Sequence, residues 1–205
     1  MELKYVGARP IVSQHGVSFD QTKPDSYTFL QAAIELLEAL SFEEREDKKI
    51  YLYNLSAKEY NGRQFVDLLE KHCADTDEIF ASREEETTEM IEKYTRNVKE
   101  NDKLTADERK AWLGNVAIMR DYYLQYTINE NAYQCALKAL ADKIHTTHIE
   151  EVTFPLGRNY GLVASHLILV LSEHKPPYDV TITFKERDGN PVGVLNMNRS
   201  KPLGS

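Results

Sequence analysis

Apolar positions recur at three- and four-residue steps over the long central part of the chain and at two-residue steps over short stretches near its ends. Tyr27, Leu30, Ile34, Leu37 and Leu40 mark one stripe, opened by Pro24-Asp25-Ser26 and closed by the charged run 43–49, which predicts a helix. Ser56 to Glu59 has the capping-box spacing, and Phe65, Leu68 and Leu69 supply the buried face of a second helix reaching about Cys73. Phe80, Thr87, Ile91, Tyr94 and Val98 then fall 7, 4, 3 and 4 residues apart, a thin seam on an otherwise polar helix.

The most regular pattern follows a second capping box at Thr105 to Glu108. Trp112, Val116, Met119, Tyr123, Tyr126, Glu130, Tyr133, Leu137, Leu140 and Ile144 are separated by 4, 3, 4, 3, 4, 3, 4, 3 and 4 residues. This predicts one helix over 106–145, about 60 Å long at 1.5 Å per residue, with its weak point at 127–131. The break at 101–104 turns the acidic helix back antiparallel onto it, so a helical hairpin is expected over 76–127.

Strand-like runs flank these helices. Lys4 to Val6, Ile11-Val12 and Val17 to Phe19 lie near the amino terminus, and Ile50 to Leu55 between the first two helices. Glu151 to Phe154 precedes an apolar helix over 162–172, and Asp188-Gly189-Asn190 turns Tyr178–Lys185 back into Val192–Met197. The expected fold class is α+β: a small mixed sheet from amino- and carboxy-terminal strands, packed by helices, with a long projecting antiparallel helical hairpin. The body takes residues 1–75 and 146–198, the hairpin insertion 76–145, and a disordered tail 199–205.

Charge sharpens this picture. The chain holds 25 basic and 33 acidic residues, a net of -8, and residues 75–103 alone hold ten acids against five bases. Phosphate backbones require clustered Lys and Arg, so nucleic acid is not an expected partner; the carboxy-terminal 175–205 segment, with five bases and three acids, is only weakly basic. No run approaches the roughly 20 apolar residues of a membrane span, and MELKYVGARP lacks the apolar core of a signal peptide, so a cytoplasmic protein without membrane insertion is expected. Two cysteines, Cys73 and Cys135, without metal-type spacing suit a reducing compartment.

Few positions suggest chemistry. The strand-to-helix loop Pro155 to Gly161 presents Gly157, Arg158, Asn159 and Gly161 near a helix amino terminus, where free N–H groups and the helix dipole favour an anion. A phosphate or carboxylate ligand fits there, with Arg158 as its charge partner and His15 joining if the amino-terminal hairpin packs nearby. The loop matches neither phosphate-loop nor dinucleotide spacing, and its glycines also serve a tight turn. His145, His148, Glu150 and Glu151 have the residue types of a zinc site but also those of an ordinary helix end. Ser13, His15 and Asp20 lie close in sequence, yet a hairpin turn does not hold a catalytic triad. His72 beside Cys73 could lower its thiol, although packing is the simpler role for both cysteines. No catalytic residue, metal or cofactor is assigned.

Aromatic residues concentrate on the long helix. Trp112, Met119, Tyr123, Tyr126 and Tyr133 are the expected partner interface, because aromatic groups with a polar handle favour protein–protein contacts. The resulting expectation is a non-catalytic interaction or assembly protein using its helical arm, with a protein partner or as a homodimer. The alternative is a binding protein or enzyme for an anionic small molecule at 155–161.

Overall fold

A computed structural model describes residues 9–13, 16–20, 26–41, 48–52, 62–73, 76–157, 159–174 and 178–199. The chain divides into two compact units, one of Met1–Phe29 with Asp75–Asn131 and one of Leu30–Ala74 with Ala132–Ser205. Two of the divisions, at 29/30 and 131/132, fall inside helices, and the third, at 74/75, falls between the helices Gly62–His72 and Thr76–Glu100.

The first unit holds an antiparallel ribbon of β1 (Arg9–Ser13) and β2 (Gly16–Asp20), paired from Arg9 with Asp20 to Ser13 with Gly16. It also holds α3 (Thr76–Glu100), α4 (Ala106–Gly114) and the first half of α5 (Val116–Thr147). The turn between α3 and α4 is built by local bonds: Asn101 Oδ1 accepts from the Lys103 N–H at 3.0 Å, and the Arg109 guanidinium donates to the Leu104 carbonyl at 2.7 Å. Thr105 and Glu108 form the expected capping box, each side chain accepting from the other's backbone N–H. Tyr94 lies against Trp112, with ring centroids 6.0 Å apart, and Glu84 pairs with Arg120 at 3.4 Å. Partners advance along one arm as they retreat along the other, so the helical hairpin is present. Thr87, Ile91 and Val98 are buried along the expected α3 seam.

The long helix is interrupted, but not at 127–131. Leu113-Gly114-Asn115 forms the break: Asn115 caps α4 with φ -98° and ψ 0°, and its side-chain amide donates to the Ala111 carbonyl at 2.8 Å. Glycine and asparagine are both poor helix formers, and here they adjoin. The 127–131 stretch stays helical, and its polar side chains are satisfied within it, Thr127 Oγ1 donating to the Tyr123 carbonyl at 2.7 Å and Asn131 Nδ2 to the Thr127 carbonyl at 2.7 Å.

The second unit contains most of α1 (Ser26–Ser41), then β3 (Lys49–Tyr51), α2 (Gly62–His72), the rest of α5, β4 (Glu151–Pro155), α6 (Tyr160–Ser172), β5 (Tyr178–Arg187) and β6 (Asn190–Arg199). Its sheet runs β3-β4-β6-β5, with β3 parallel to β4 and the other pairs antiparallel. The mixed sheet is therefore as expected, but β1 and β2 stand apart from it; joined by two residues, they pair with each other. The β5–β6 turn is a two-residue one, Asp188-Gly189, both at positive φ as its hairpin geometry demands. The strand run at 4–6, the Ser56–Glu59 cap and the 200–205 tail lie outside the described residues.

Ile50, Val152 and Leu195 form a buried row across the sheet, continued on β5 by Ile182. Val192 and Val194 are buried on the opposite face, where the Arg187 guanidinium lies 3.8 Å above the ring of Tyr51. From Phe29 to Ala39, α1 is buried almost all round. α5 ends in a Schellman cap, with His148 left-handed at φ 58° and the Ile149 N–H bonded to the Ile144 carbonyl at 3.1 Å.

One glycine is required by packing. A Cβ on Gly193 would enter the ring of Tyr160, which lies edge-on to Phe154 and Phe184 with centroids 6.0 and 6.1 Å away. Gly193→Ala is expected to cost about 1–3 kcal/mol by overpacking, measured by urea denaturation. A variant as stable as the wild type would mean that Tyr160 yields without loss.

Candidate functional site

The loop between β4 and α6 is closed by its own backbone, with the Gly157 N–H bonded to the Pro155 carbonyl at 2.7 Å and the Tyr160 N–H to the Gly157 carbonyl at 3.2 Å. Asn159 occupies the helix N-cap in a helical conformation and makes no side-chain cap bond. Its side chain turns inward and is 5% exposed, and its amide donates to Glu35 Oε1 at 3.4 Å; Gln31 Nε2 donates to the same oxygen at 2.9 Å. Asn159 Oδ1 is buried and has no partner among the described residues.

Glu35 thus sits at the head of a cleft lined by Leu52, Phe154, Pro155, Gly157, Asn159, Tyr160 and Val163. Burial pushes its carboxyl up to about 7, against the opposing pull of its bonds from Asn159 and Gln31. The cleft has room for about one water. Gly157 and Asn159 line it as the loop reading expects, but they face an acidic group. Gly161 is exposed, with open space where a side chain would stand. Arg158 and His15 lie outside the described residues. Sequence reading missed Glu35 because a lone acid on an apolar helix face carries no spacing signal.

The cysteines, 62 residues apart in sequence, meet in the second unit. The Cys73 thiol donates to Cys135; this bond, aided by Lys138, brings Cys135 down to about 7 against its burial and pushes Cys73 up. His72 turns instead to Ser41, its Nε2 lying 2.9 Å from the hydroxyl, and burial holds its imidazole below the usual histidine range. The acids and histidines at the end of α5 also separate. His145 stacks on His174 at 4.7 Å and bonds the Tyr178 hydroxyl at 3.2 Å, Glu150 pairs with Lys48 at 2.9 Å, and Glu151 lies between Lys49 and Lys185. Among the described residues no three His, Cys, Asp or Glu side chains converge as a metal site would require.

The expected interface residues also divide. Met119 and Tyr133 are buried within the chain, Tyr133 with its hydroxyl 3.0 Å from His166 Nδ1. Trp112 is half-buried against Tyr94. Tyr122, placed one residue off the predicted stripe, is 1% exposed, whereas Tyr123 and Tyr126 are only half-buried. The buried face there runs through Met119, Tyr122, Gln125 and Asn129, rotated from the predicted stripe, whereas Tyr133, Leu137, Leu140 and Ile144 of that stripe are buried further along the helix. The flank left open is a groove of about 250 Å³ lined by Tyr122, Tyr123, Tyr126, Thr127 and Glu130. Tyr122 stacks on Tyr126 at 5.9 Å and meets Tyr123 edge-on at 5.7 Å, while Tyr126 is braced edge-on by Phe29 at 5.4 Å.

Two outcomes follow from the buried groups. Folded Glu35 holds its proton up to about pH 7, whereas the unfolded chain releases it near 4.5, so this group's support is complete below about 4.5 and fades as pH rises to 7. Between about pH 5 and about pH 8 the wild type should lose about 2.5 kcal/mol that Glu35→Gln retains, compared by urea unfolding at each pH; parallel profiles would refute a raised Glu35. Iodoacetamide near neutral pH should label Cys135 ahead of Cys73 in peptide mass spectra, and Cys73→Ala should slow that labelling by removing the donor. Equal labelling of the two thiols would show that the bond does not activate Cys135. No protein-family model, no curated protein and no solved structure matches the chain.

Proposed function

We propose that the chain is a non-catalytic interaction protein whose helical arm receives a basic side chain of a partner in the tyrosine groove of α5. The observation that carries this reading is the open groove itself, with three tyrosines and Glu130 around about 250 Å³. Small-molecule sites run from about 300 to 1,000 Å³, so the groove is sized for one side chain rather than for a metabolite. Tyrosine faces attract cations through the ring quadrupole, and the Glu130 carboxylate adds charge of the same preference. The acidic excess of residues 75–103, on the same unit, steers a basic segment toward the arm.

The anionic-ligand alternative draws less support. Its loop offers a cleft with room for about one water, too small for a phosphate or carboxylate ligand. Titration with a lysine- and arginine-rich peptide, followed by calorimetry beside an acidic control peptide, tests the interaction reading. Saturable binding of the basic peptide alone is expected, weakened about threefold to thirtyfold by Tyr123→Ala or Glu130→Gln. No binding, or binding indifferent to both substitutions, would overturn it.

A further inference from the structure

β5 is an edge of the four-stranded sheet, and among the described residues it pairs with β6 alone. Its ten residues pair without a bulge, from Tyr178 with Arg199 to Arg187 with Asn190. Exposed sheet edges are ordinarily blunted by a proline, a bulge or a charge, since their unpaired N–H and C=O groups template a further strand. None interrupts Val180-Thr181-Ile182-Thr183-Phe184, and Ile182 and Phe184 are 44% and 66% exposed. The Asp188-Gly189 turn makes Arg187 and Asn190 a hydrogen-bonded pair, so alternation along the strand turns the N–H and C=O groups of Val180, Ile182 and Phe184 outward.

We propose that two copies of the chain join through β5, antiparallel about a two-fold axis at Ile182, to form one continuous sheet. A second copy is the occupant because the strand complements itself in this register. Val180 faces Phe184 of the other copy, Thr181 faces Thr183, and Asp179 faces Lys185, so apolar meets apolar and acid meets base on both sides of the axis. Centring the pair on Thr183 instead would set Val180 against Glu186. Lys185 also reaches Glu151 of its own chain at 3.7 Å, so its charge lies between two carboxylates. The central stretch adds about six backbone hydrogen bonds, and the two-fold uses up the β5 edge of each copy, so this contact closes at the dimer. This surface shares no residue with the α5 groove and does not depend on the proposed function.

Sedimentation equilibrium at micromolar concentrations tests the pairing. The wild type is expected at twice the chain mass, and Ile182→Lys, which sets two like charges across the axis, at the chain mass with an unchanged circular dichroism spectrum. Directly opposed Cα atoms of a hydrogen-bonded pair lie about 5.5 Å apart, within disulfide reach. Ile182→Cys should therefore yield, on mild oxidation, a disulfide joining position 182 to position 182, identified by peptide mass spectrometry; this variant keeps the test open should lysine prevent folding. A wild type at the chain mass, a dimer that persists in folded Ile182→Lys, or Ile182→Cys without that cross-link would overturn the proposal.

Discussion

Tyr160 lying across Gly193 is the contact on which the second unit depends. Gly193, between Val192 and Val194 on β6, leaves a gap, and the first residue of α6 fills it, flanked by Phe154 and Phe184. That placement fixes where α6 begins on the sheet. It also sets the side chain of the N-cap Asn159, one residue earlier, against Glu35 of α1 rather than back onto the helix backbone. The neighbouring rows, with Val152 beside Leu195 and Phe154 beside Gly193, are closed by the same helix-to-sheet approach.

Polar groups buried around this core show what the arrangement costs. Glu35 keeps two amide donors on one oxygen, yet loss of water outweighs them and its carboxyl is driven toward neutrality. Among the described residues Asn159 leaves an oxygen unmatched, and Tyr94 and Trp112 leave a hydroxyl and an indole N–H unmatched in the helical hairpin. Each such group costs on the order of 1–3 kcal/mol. At Cys73 and Cys135 the contact between two half-buried thiols separates their acidities, raising Cys73 and lowering Cys135.

In the first unit the deciding constraint is which face of α5 the neighbouring segments cover. The buried face of α5 begins at Met119 and turns toward Tyr122 and Asn129, which leaves the Tyr123 and Glu130 flank uncovered. Half-exposed tyrosines on a braced helix lose little rotamer freedom on contact, since Phe29 and Tyr122 already hold Tyr126 in place. The sheet of the second unit exposes surface of another kind, a strand edge whose recognition is mainly backbone.

Periodicity and turn chemistry were enough to predict the helices, the α3–α4 reversal with its Thr105–Glu108 cap, the β5–β6 hairpin and the α+β class, because each is set by residues within a few positions of one another. Legible too were Gly157 and Asn159 as a strand-to-helix junction and Tyr123 and Tyr126 as aromatic surface. Tertiary structure alone decided that Asn159 faces Glu35, 124 residues away, that Cys73 meets Cys135, and that Tyr122 rather than Tyr123 is buried. It also decided that β1 and β2 leave the main sheet and that β5 is an edge. Local propensity acts along the chain and leaves its mark in spacing, whereas desolvation, close packing and strand order arise only between segments that folding brings together.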